Sequence, residues 1–159
     1  MKTKIRIASL VLALCMVVSL FTACTAAPDN SNIAAAEVYD ALMSKVEFPE
    51  MLSLDAGGLV SLLGIDDSLY TEAVAYIPLT AVSGNMVFIV KATDSAAAET
   101  LAEKLESYRA GVLAQMNNYL PDEYDKINAA SVETDGSFVW LVVADDQAAA
   151  EAAVRDIIG

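Results

Sequence analysis

Gly84-Asn85-Met86-Val87-Phe88-Ile89-Val90-Lys91-Ala92 aligns without a gap on Gly136-Ser137-Phe138-Val139-Trp140-Leu141-Val142-Val143-Ala144, 52 positions further on. The match continues as Thr93-Asp94-Ser95-Ala96-Ala97-Ala98-Glu99 over Asp145-Asp146-Gln147-Ala148-Ala149-Ala150-Glu151, and nine positions between 84–99 and 136–151 are identical. Each copy is an apolar strand opened by a glycine and followed by an aspartate placed to cap an alanine-rich helix. The alanines carry little, because any alanine-rich helix resembles any other. The shared glycine, the aspartate cap and the matched strand carry the reading of a ββα pseudo-repeat.

The flanks complete both units. Leu69 to Pro78, with Tyr70, Val74, Tyr76 and Ile77, has the aromatic and β-branched content of a strand, and Ser131 to Thr134 is its counterpart before the hairpin signal Asp135-Gly136. Asp94 opens a long helix with the stripe Leu101, Leu105, Tyr108, Val112, Met116 and Tyr119. Pro121 closes it and starts a short second helix to Asn128. Asp146 caps a last helix striped by Ala150, Ala153, Val154, Ile157 and Ile158. Upstream, Val38, Leu42 and Val46 predict a first helix over Ile33 to Val46, with Asn32 or Ser31 as N-cap and Phe48-Pro49 as its end. Leu52 to Leu63 is ambiguous: Gly57-Gly58 interrupts it, and Leu59, Leu62 and Leu63 fit one short helical turn.

These elements predict an α+β domain in the order α-β-β-α-β-β-α. Its expected sheet has four mostly antiparallel strands, built from two ββα pseudo-repeats with the helices on one face. Phe88 and Trp140 are equivalent in the repeat and are expected on a shared core face with Val90 and Val142, opposite Leu101, Leu105, Ala153 and Ile157. Both faces of the central strands are apolar, so the second face needs the first helix, the 48–63 segment or another chain to cover it.

The composition narrows the function classes. Of 159 residues, 56% are apolar and 19% charged, which suits one small globular domain. The net charge is −13, and beyond residue 23 six cations face 22 acids, for −16. So acidic a surface repels phosphate backbones and excludes nucleic acid as a partner. The absence of histidine removes the commonest general base and the commonest zinc ligand together.

The first 23 residues read as an export signal. Lys2, Lys4 and Arg6 form the positive region, and Ile7 to Phe21 is an uncharged apolar run. Thr22-Ala23-Cys24 at its end resembles a bacterial lipobox, in which Cys24 is lipidated with palmitate-type chains and becomes the mature N-terminus. Leu20 fits that pattern, while Phe21 stands where a smaller aliphatic is usual. The alternatives are a secreted protein cut near Ala26 or Ala27, or an uncut anchor, since 22 uncharged residues separate Arg6 from Asp29. Cys15 lies inside the apolar run, so a lipidated Cys24 leaves no free thiol and no disulfide. The expected organisation is a lipoprotein signal peptide at 1–23, a tether at 24–33 and a single domain at 34–159. The expected place is the extracytoplasmic face of the cell membrane, which is itself a partner through the anchor at Cys24.

Chemistry finds few footholds. The sequence has no Gly-x-Ser-x-Gly, no Ser-x-x-Lys and no phosphate-binding glycine loop, so no catalytic residue, cofactor or metal ligand is assigned. The carboxylate pairs are Asp66-Asp67, Asp122-Glu123 with Asp125, and Asp145-Asp146. In a chain with 22 acids such pairs follow from composition. Pro121 to Asp125 lacks the alternating acids of a calcium loop and suits a helix start better. Phe138 and Trp140 could line a ligand groove, but their place in a strand favours core packing.

The order of signal, lipobox, Phe48-Pro49-Glu50-Met51, apolar strands, Tyr119-Leu120-Pro121-Asp122-Glu123-Tyr124 and Gly136-Ser137-Phe138-Val139 resembles a family of uncharacterised lipoproteins from Gram-positive, clostridial-type bacteria, domain of unknown function 4358. The resemblance covers roughly residues 34 to 158. It implies a cell-surface lipoprotein and brings no catalytic residues with it. Two function classes follow: a non-enzymatic envelope module that binds a protein or peptide, and an accessory lipoprotein that binds a small molecule or ion for a membrane partner.

Overall fold

A computed structural model describes residues 30–117 and 119–159. The chain forms α1 (Ala35–Lys45), β1 (Met51–Ser53), α2 (Ala56–Leu63), a 3-10 turn (Asp67–Leu69), β2 (Tyr70–Pro78), β3 (Met86–Ala92), α3 (Ser95–Met116), α4 (Pro121–Ala129), β4 (Val132–Asp135), β5 (Phe138–Val143) and α5 (Gln147–Ile158). The strands make one antiparallel sheet in the order β1-β2-β3-β5-β4.

The α+β class holds, with five strands in place of the expected four. The additional strand is β1, three residues that extend the sheet edge by pairing Met51 with Pro78 and Ser53 with Tyr76. The ambiguous segment after it is α2. Its glycines lie in the first turn, where the Asp55 carboxylate accepts the Gly58 N–H at 2.8 Å, and Gly64 closes the helix in the left-handed region.

The helices lie on both faces, which corrects the single-face expectation. One core joins Phe88, Val90 and Leu141 to Leu101 and Leu105 of α3, with Leu59 of α2 and Ile127 of α4. The other joins Ile89, Trp140 and Val142 to Val38 and Leu42 of α1 and to Ala153 and Val154 of α5. Pairing geometry is the cause. β3 and β5 are antiparallel neighbours with Phe88 opposite Leu141 and Ile89 opposite Trp140. Directly paired residues share a face and successive residues alternate, so Phe88 and Trp140 point to opposite faces. Trp140 is buried as expected, at 4% exposure, but beneath α1 and α5.

Each unit still packs its helix on its own second strand, α3 over Phe88 and Val90, α5 over Trp140 and Val142. Viewed from its helix with that strand pointing up, however, the hairpin partner lies on opposite sides in the two units. The sequence match therefore describes local features, and no rotation superposes the two units.

Two further expectations shift. Neither Asn32 nor Ser31 caps α1. Its N-cap is Ala34, without a side-chain bond, and the Glu72 carboxylate reaches from β2 to accept the Ala35 N–H at 2.8 Å. The stripe of α3 ends at Met116, and Tyr119 lies beyond the helix at 83% exposure. The aspartate caps hold as expected, Asp94 taking Ala97 N–H at 2.8 Å and Asp146 taking Ala149 N–H at 3.0 Å.

Candidate functional site

Four of the singled-out carboxylates, Asp66, Glu123, Asp145 and Asp146, hold structural partners. Asp66 accepts the Ser68 N–H at 3.0 Å, and those Ser68 bonds hold its carboxyl below the usual range. Asp122 and Glu123 stand in the first turn of α4, behind Pro121 at its start. The Glu123 carboxylate accepts Gly84 N–H at 2.6 Å and Lys126 Nζ at 3.0 Å, while Lys126 also donates to Asn85 Oδ1 at 2.8 Å and pairs with Asp145. Burial alone would lower the Lys126 pKa, but Asp145 and Glu123 outweigh it and raise it. This node ties α4 to the loops before β3 and after β5. It also explains the glycine that opens the first matched strand, because a Cβ on Gly84 would stand 2.7 Å from the Ile127 side chain. Among the described residues no group of three or more acids or cysteines is arranged to hold a metal.

The expected signal peptide at 1–23, Cys24 and residues 25–29 lie outside the described residues. The last part of the expected tether is docked on the domain. Asn30 is 4% exposed, its Nδ2 donates to Asp135 O at 3.0 Å, and its side chain fills the space beside Gly136. Gly136 has φ +55°, so it leads a two-residue Gly136-Ser137 turn, one position beyond the expected Asp135-Gly136. Lys91 Nζ donates to the carbonyls of Ser31 and Ile33, at 2.5 and 2.8 Å. The chain thus joins the fold at the end of the sheet where β3 finishes and β5 begins. No helix among the described residues is long and apolar enough to cross a membrane.

The surface offers a groove that the sequence did not reveal. A cavity of about 410 Å³ runs between α2 and α3, lined by Leu62, Leu63, Lys104, Ser107, Tyr108, Gly111, Val112 and Gln115. A second hollow of about 280 Å³ continues it toward the β2–β3 loop, sharing Tyr108, Val112 and Gln115 and adding Ile77, Leu79 and Met116. The Tyr108 ring lines both hollows and packs edge-to-face with Phe88 at 5.6 Å and 77°. Burial pushes the Tyr108 hydroxyl above its usual pKa, so it stands there as a neutral donor. Among the described residues no carboxylate lines either hollow. On the other side of α3, a hollow of about 500 Å³ carries Glu99 and Glu103 beside Thr134 and Gly136.

Sequence reasoning placed Tyr108 and Val112 on the helix stripe but passed over Lys104, Ser107, Gly111 and Gln115. The available signal was Gly111, a glycine inside an otherwise regular helical pattern. Phe138 and Trp140 line no groove. Both are core residues, with Lys91 Nζ 5.6 Å from the Phe138 ring centre.

A sheet closed by helices on both faces, with an acid-free groove beside its longest helix, defines a small α+β module with a ligand-sized hollow. Residues 44–144 match the domain of unknown function (DUF4358), and the chain belongs to that family. No curated protein and no solved structure matches the chain.

Proposed function

We propose that this is an extracytoplasmic lipoprotein, made with a signal peptide and acylated at Cys24, that works as a non-enzymatic binding module through the groove between α2 and α3. The observation that carries the binding reading is the groove itself. It is concave, with Leu62, Leu63 and Val112 set among the polar groups of Lys104, Ser107, Tyr108 and Gln115, and its volume falls in the range of small-molecule sites. The anchor reading rests on the lipobox-like Thr22-Ala23-Cys24, and Asn30 sets its geometry. A fold pinned at Asn30 leaves five residues after Cys24, a reach of roughly 20 Å at full extension. An acyl anchor at Cys24 would therefore hold the Asn30–Gly136 end of the sheet next to the bilayer and leave the groove open at the side of the domain.

The groove favours a small-molecule ligand over the flat protein-binding surface expected for an interaction module. The use of Asp66, Asp94 and Asp146 as caps and of Glu123 and Asp145 in the Lys126 node supports a role without catalysis for those acids. Metabolic labelling with an alkynyl fatty acid tests the anchor. The wild-type chain should take the label and fractionate with membranes, and Cys24→Ala should lose both. A mature wild-type N-terminus beyond residue 24 without lipid would refute it.

A further inference from the structure

The groove carries a charge pattern opposite to that of the domain around it. Its lining and that of its continuation hold no acid, although 21 of the 22 acids fall among the described residues. The one charged group in the lining is Lys104. Of the six cations among the described residues, Lys91, Arg109, Lys126 and Arg155 pair with carboxylates, whereas Lys45 and Lys104 do not. The Lys104 ammonium lies at the C-terminal end of α2, where a Cβ on Gly64 would be 3.4 Å from it. The helix dipole explains why the ammonium rests there and leaves its charge unmatched by a side chain.

A second, independent feature points to an occupant. Gly111 sits in the middle of the 22-residue α3, where glycine weakens a helix. A Cβ built there meets nothing within 4 Å. Neither a close backbone approach nor a positive φ requires it, yet its missing side chain widens the groove midway between Lys104 and Gln115.

We propose that the groove binds a small amphiphile with an apolar body and one anionic head, of the mid-length alkyl carboxylate class. Its head pairs with Lys104, and its body lies along Tyr108, Gly111 and Val112 toward Gln115. This rests on the binding-module reading and specifies its ligand. An anion approaching so acidic a domain meets the least repulsion at an acid-free hollow with an unpaired cation, and of the two unpaired lysines only Lys104 lines one of these hollows. The hollow with Glu99 and Glu103 repels the same head group, and Lys126 already has its carboxylates.

The test uses the full-length protein in membranes and two photoreactive probes, a diazirine-bearing dodecanoic acid and the matching dodecanol, with the crosslinked peptide located by mass spectrometry. The carboxylate should label the 104–116 segment. Lys104→Gln should cut that labelling about fivefold or more, and Lys104→Arg should restore it. The alcohol should label the same segment weakly and without regard to residue 104. Gly111→Leu, which fills the groove, should abolish labelling by both probes. Equal labelling of 104–116 by acid and alcohol, unchanged in Lys104→Gln, would overturn the anionic-head proposal and leave the groove as a binding site. Labelling elsewhere, or labelling insensitive to Gly111→Leu, would overturn the groove reading itself.

Discussion

The two faces of the sheet are covered in different ways. On one, α1 and α5 lie side by side and close over Ile89, Trp140 and Val142. On the other, α3 covers the central strands while the eight-residue α2 meets it only locally, and a groove remains between the two helices. Equally apolar strand faces thus receive unequal lids. Both faces bury a packed core, and the proposed ligand groove lies on the second, where Tyr108 meets Phe88.

The largest expected effect separates the faces directly. Trp140→Ala should destabilise by roughly 3–5 kcal/mol in denaturant unfolding, because the indole is enclosed between two helices. Tyr108→Ala, on the open face, should cost about 1–3 kcal/mol, since its ring is only partly covered. Equal losses would break the contrast between a sealed and an open face.

Two glycines on the groove side sharpen it further. Gly84→Ala forces a methyl into the Ile127 side chain and should cost roughly 1–3 kcal/mol by thermal or chemical unfolding. Gly111→Ala enters open space in a helix and should stabilise by about 0.4–1 kcal/mol. A destabilising Gly111→Ala would mean that the fold itself needs that glycine, removing one of the two arguments for an occupant.

The smallest effect is that of pH between 5 and 8, where stability should be flat. On the sealed face, burial and a hydrogen bond with Tyr76 push the stacked Tyr39 up to about 12. A pKa raised on folding contributes below the unfolded value, so this contribution is lost only as pH climbs from 10 toward 12. Lys126 on the other face is raised above 10.5 and likewise contributes until the alkaline limb. Glu106, held below 4.5 by its hydrogen bond with Arg109, contributes above 4.5 and is lost only on acidification. Melting curves from pH 5 to 8 should superimpose, and a transition near pH 6.5 would reveal a titrating group that none of these shifts accounts for.

Much of the fold was legible because its signals are local. Asp94 and Asp146 cap the helices expected of them, Pro121 starts the short helix, and the Asp135-Gly136 region turns the hairpin within one residue of its expected place. β1 escaped notice because three residues ahead of a double glycine carry too little periodicity to register. The groove was less legible still: Lys104, Gly111 and Leu62 become one site only when α2 is laid against α3.

Sequence by itself determined the longer helices and strands, the aspartate caps of α3 and α5, the acidic surface and the family, since each depends on neighbours along the chain or on composition. Tertiary structure alone decided which face each strand residue occupies. Strand residues alternate faces, so the register of β3 on β5 decides whether Phe88 and Trp140 share a core, and that register is set by hydrogen bonds between segments some 50 residues apart.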